Sequence, residues 1–151
     1  MPGIKEELSM ATFKDEHQKM VLNLLFTSNW LKQLDTERLA PFGISPQQYN
    51  ILRILRGAKG KRMCMHEITD RMLDRAPNAT RLTDKLCAKD LVLRERSEAD
   101  RRVVYLLISP AGKALLDKID KGADEQLFSV ARKLSVTEAR TLNSILDKLR
   151  S

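Results

Sequence analysis

Apolar positions recur in helical steps over residues 13–39, where Phe13, Met20, Leu24, Leu31 and Leu34 keep the spacing of one helical face. The middle of that run, Met20-Val-Leu-Asn-Leu-Leu-Phe26, is apolar on more than one face. Such a helix suits burial against a second subunit as well as its own core, although a central helix of a monomeric bundle would read the same way. Pro41-Phe-Gly43 interrupts the pattern, and Ser45-Pro46-Gln47-Gln48 opens a second helix. There Ser45 can cap, Pro46 suits the first helical position and Gln48 can close a capping box. Tyr49, Leu52 and Leu55 form the buried stripe of that helix, which residues 57–60 end. A short third helix is expected over Met65–Met72 with Ile68 and Met72 inward. Pro77 is expected to start a fourth, running to about Lys89 and buried through Ala79, Leu82 and Leu86.

The period then changes from helical to two. Residues 91–96 alternate like a strand, Ser97-Glu-Ala-Asp100 is a polar turn, and residues 103–108 read as a second strand of a β-hairpin. Ser109-Pro110 restarts a helix carrying Leu115, Leu116, Ile119, Ala123 and Leu127. Ser135-Val-Thr-Glu138 is a capping box that opens a last helix with Leu142, Ile145, Leu146 and Leu149 on one stripe. The predicted order is α-α-α-α-β-β-α-α. Helices three and four form a helix-turn-helix and the hairpin is its wing. The expected fold is therefore mainly α with a small β-hairpin (α+β), a winged helix-turn-helix. Residues 39–109 form its reading lobe, and residues 1–38 and 110–151 supply N- and C-terminal dimerisation helices.

Charge sharpens this picture. The 151 residues carry a formal +7, and the stretch from Arg56 to Arg102 holds 13 basic against 8 acidic residues, most of that surplus. A basic lobe joined to nearly neutral flanks suits a nucleic-acid partner, duplex DNA first. No apolar run is long enough to span a bilayer, and the first 12 residues lack a signal-peptide pattern. Two cysteines, Cys64 and Cys87, cannot build a disulfide framework, and His17 and His66 form no zinc-spaced cluster. A reducing cytoplasm is the expected compartment, with no metal or cofactor. No Ser/His/Asp set, phosphate loop or paired carboxylates suggest an enzyme.

Three stretches resemble the MarR-type regulators, named for multiple antibiotic resistance. They are Ile44-Ser-Pro-Gln-Gln-Tyr-Asn-Ile-Leu52, then Thr80-Arg-Leu-Thr-Asp-Lys-Leu86 with Lys89-Asp-Leu-Val92, and Asp100-Arg-Arg-Val-Val-Tyr-Leu-Leu-Ile-Ser-Pro-Ala-Gly112. The similarity spans roughly Leu34 to Leu116. It implies an intertwined homodimer on a pseudo-palindromic operator, usually a repressor, often released by a small phenolic or aromatic ligand. It also implies that Arg102 enters the minor groove while Asp100 orients the wing tip through an ion pair.

The fourth helix carries matching chemistry of its own. Asn78 and Arg81, three residues apart, can face one groove and hydrogen-bond base edges, whereas Thr80 and Lys85 are expected nearer phosphate. Arg75, Arg101 and Arg102 complete the expected contacts. An effector cavity is expected from Phe26, Trp30 and Tyr49 as aromatic walls with His17 or Arg53 as polar partners. Cys64 falls at the N-cap of the third helix, where a thiol can become reactive, so a thiol redox sensor is an alternative function. Members that sense peroxide through a first-helix cysteine differ from this chain, which has none between Met20 and Leu34. A winged-helix module for protein or RNA contacts is the other alternative.

Overall fold

The computed structural model describes residues 2–75, 77–122 and 124–151, and for 124–126 the backbone alone. Among the described residues the order is α1 (Ile4–Glu7), α2 (Glu16–Leu39), α3 (Pro46–Gly57), α4 (Met65–Arg71), α5 (Ala79–Ala88), β1 (Val92–Arg96), β2 (Val104–Ile108), α6 (Pro110–Gly122), α7 (Asp124–Ala131) and α8 (Val136–Leu149). A 3-10 turn over Ala40–Phe42 joins α2 to α3, with Gly43 left-handed at its end. The mainly helical fold with one antiparallel hairpin is the winged helix-turn-helix expected from the sequence.

Local chemistry sets the helix starts. Ser45 and Gln48 form the predicted capping box on α3, and Ser135 with Glu138 forms the one on α8. The first long helix starts at Glu16 rather than near Phe13, because extended Asp15 accepts a hydrogen bond from the Gln18 N–H at 2.8 Å. The fourth begins at Ala79 and not at Pro77. Pro77 and Asn78 form the turn before it, and the Asn78 carbonyl accepts the first intrahelical bond from Leu82 at 3.0 Å. The stretch expected to be helical from Pro110 through Leu127 is helical on both sides of residue 123, as α6 up to Gly122 and as α7 from Asp124. Ala123, expected on that stripe, lies outside the described residues. The four-residue α1, too short to show a period, packs Ile4 toward α2.

The core gathers Leu39, Ile51, Leu52, Leu55, Ile68, Leu86, Leu116 and Ile119, all nearly or fully buried. It is supplied by the end of α2, by α3 to α5, and by α6. Each such side chain contributes about 1.5–3 kcal/mol relative to exposure. α8 has no buried residue, and of the 24 residues of α2 only Arg38 and Leu39 are buried. No described helix is long and apolar enough to cross a membrane.

Candidate nucleic-acid interface

Packing decides which face of α5 is available. Ala79, Thr83 and Leu86 are buried, Leu82 is half-buried, and Thr80, Arg81, Asp84 and Lys85 are exposed. Thr83 is the inward residue that hydrophobic patterning passes over. Its hydroxyl is satisfied locally by donating to the Ala79 carbonyl at 2.9 Å. Asn78 stands at the N-cap, exposed, and its side chain makes no capping hydrogen bond. Its amide is therefore not consumed by the helix it precedes. The chain just after α4 is pinned to α3 by the Leu73 N–H donating to Asn50 Oδ1 at 2.9 Å. The Lys89 ammonium donates to the Gly43 carbonyl at the other end of α5. Arg75, exposed, donates to the Asp70 carbonyl at 3.2 Å.

The hairpin pairs Val92 with Ile108 and Arg96 with Val104, and Met63 adds a bridge to Leu106 on its far edge. Both N–H···O bonds of that bridge are made, at 3.1 and 2.8 Å. A two-stranded hairpin alone is marginal, so this bridge helps to hold the wing to the lobe. Arg94 and Arg96 share a face with Val104 and Leu106, turned toward α5, and line a groove of about 310 Å³ with Met65, Thr80, Thr83 and Asp84. Arg94 pairs with Asp84 across it. Sequence reasoning missed this pair. The period-two alternation that sets Arg94 and Arg96 apart from Leu93 and Glu95 is the signal that would have found it.

Main-chain bonds fix the wing tip. Ser97 N–H donates to the Val103 carbonyl and Val103 N–H to the Asp100 carbonyl, each at 3.0 Å. The expected ion pair of Asp100 is absent among the described residues. Its carboxylate accepts the Arg102 backbone N–H at 3.0 Å, an Asx-type turn. Asp100 is two residues from that N–H, so the main chain is the nearer donor. Arg101 and Arg102 are exposed. Behind the wing, Ser109 Oγ donates to the Asp90 carbonyl at 2.6 Å and accepts the Gly112 N–H at 2.9 Å.

The five residues expected to wall an effector cavity do not converge. Phe26 and Trp30 share a groove of about 480 Å³ with Pro2, Ile4, Glu7, Asn23 and Thr27. Tyr49 lies instead under Arg38, whose guanidinium is 4.7 Å from the ring centroid, and Arg53 donates to the Tyr49 hydroxyl at 3.1 Å. Arg38 follows Phe26 by about 18 Å along α2, which accounts for the separation. His17 is exposed in the first turn of α2. Cys64 stands at the predicted N-cap, half-buried, its N–H donating to Glu67 at 2.7 Å. Burial pushes the Cys87 thiol up, away from thiolate chemistry.

An exposed polar helix face on a helix-turn-helix, flanked by a tied hairpin with two exposed arginines at its tip, defines a winged-helix regulator. A sequence profile of the MarR family matches residues 42–103. A MarR transcription factor from Planctomyces limnophilus is 32% identical, with 90% of this chain and 98% of that one covered at a TM-score of 0.70. The regulator MhqR of Bacillus subtilis is 28% identical over 107 residues, 71% of this chain and 72% of its own. In fold alone, a mutant MarR from E. coli complexed with operator DNA matches at a TM-score of 0.78, with 21% identity over 92% of this chain and 99% of that one. The chain belongs to the MarR family of transcription regulators and is not an enzyme.

Proposed function

We propose that this chain is a homodimeric repressor that reads a pseudo-palindromic operator with α5 and grips the flank with its wing. The observation that carries the reading is the pairing of two features on one lobe. One is the exposed row Asn78, Thr80, Arg81 and Lys85, whose side chains suit base edges and phosphates. The other is the exposed Arg101 and Arg102 at a main-chain-fixed tip, suited to the narrow minor groove. Arg75, at the turn before α5, adds a phosphate contact. Residues 39–109 form the reading lobe, and residues 1–38 and 110–151 the dimer layer. The bare apolar side chains of α2, α7 and α8, among them Leu25, Phe128, Ile145 and Leu149, support a layer closed by a second copy. The E. coli MarR mutant bound to operator DNA supports the partner.

Selection of bound duplexes from a random pool tests this reading. Enrichment of a palindrome with half-sites about one helical turn apart is expected. No enrichment, or equal retention of single-stranded RNA, overturns it. A small aromatic effector is the second part of the reading, supported by the groove beside Phe26 and Trp30. Trp30 is the sole tryptophan, so saturable quenching of its fluorescence by a phenolic acid, together with release of DNA, is the expected result. Release without quenching excludes this groove.

A further inference from the structure

Asp120 lies on α6, outside every contact assigned above, yet three side chains of α3 converge on it. Arg56 Nη1 reaches its Oδ2 at 2.8 Å, Arg53 Nη1 lies 3.7 Å from its Oδ1, and the Tyr49 hydroxyl donates to Oδ1 at 3.4 Å. Tyr49 continues the chain of contacts into α2, because Arg38 stacks on its ring and is held by Asp35 at 2.6 Å. The Arg38 side chain is only 2% exposed, so this end of the chain of contacts is packed in place. One carboxylate therefore ties α3, inside the reading lobe, to the two helices that leave it.

We propose that Asp120, with Tyr49 as its link to α2, is a positioning residue that sets the angle of the reading lobe on the dimer layer. It thereby sets the half-site spacing the regulator accepts. The inference rests on the dimeric operator reading. Its physical basis is leverage. The 13 residues of α6 make a rod about 20 Å long, and a tilt of about 10° moves its far end by roughly 3.4 Å, about one base-pair step. Isolated surface ion pairs hold little, but here turning α6 against α3 breaks several directional contacts at once.

The test uses the full chain and the palindrome selected above, with its half-sites moved apart or together by one base pair, and a duplex holding one half-site. For Asp120→Asn we expect unchanged half-site affinity, with the preference for the selected spacing falling roughly tenfold. Asp120→Glu restores most of that preference. Tyr49→Phe keeps the ring under Arg38 and shifts the preference in the same direction by less; it carries the test if Asp120→Asn does not fold. An intact spacing preference in these variants overturns the inference, as does a parallel loss on half-site and palindrome. A parent protein with no spacing preference overturns the dimeric reading itself, before any variant is compared.

Discussion

Arg102 is fixed at its backbone and exposed at its side chain, since Asp100 holds its N–H. Replacing it with alanine removes a cation without disturbing the tip. Arg102→Ala is therefore expected to weaken operator binding and lower the slope of log affinity against log salt by about one, with Tm unchanged. A parent-like salt titration removes the wing from the mechanism. Gly112 makes the opposite case, a residue defined by what it lacks. A Cβ there would lie 2.3 Å from the Leu91 carbonyl oxygen and 2.8 Å from Ile108 Cγ1. The first neighbour is backbone and cannot step aside. Gly112→Ala is expected to cost roughly 1–3 kcal/mol or more in a denaturant titration, through overpacking where the wing meets α6.

Among the elements, α8 depends most visibly on its cap. The Ser135 hydroxyl and backbone N–H both donate to Glu138, and these bonds hold its carboxyl below the usual carboxylate range. A lowered folded value contributes stability above the unfolded value and loses it as pH falls through the lowered one. Ser135→Ala is expected to return the Glu138 titration toward the ordinary carboxylate value, as read by carbon NMR, and to fray the first turn of α8. An unmoved titration contradicts the cap. This box was legible in sequence because its partners sit three apart, as was the box on α3. The Asp15–Gln18 cap has the same spacing, but the apolar Phe13 just before it drew the helix start too early. The burial of Thr83 was harder to read. A threonine can satisfy its own hydroxyl on a helix and go inward. The contacts around Asp120 had no linear signature at all, since they join residues 71 apart.

For the whole molecule, the lone chain leaves Leu142, Ile145 and Leu149 bare on a helix with nothing buried. Paired as proposed, those residues close the dimer. The double variant Leu142→Glu with Ile145→Glu is expected to sediment as a monomer with parent-like helix content. Palindrome affinity is expected to fall roughly 100-fold as avidity is lost, while half-site affinity stays. A variant that stays dimeric moves the interface off α8. If the copies pair as proposed, the same bare stripe also makes protein abundance an input. Well below the concentration at which the copies associate, the paired form grows about as the square of the number of chains, so halving synthesis leaves about a quarter of it. Unpaired copies meanwhile present an apolar surface to proteases and to one another. On the proposed reading, repression therefore answers gene dosage more steeply than in proportion.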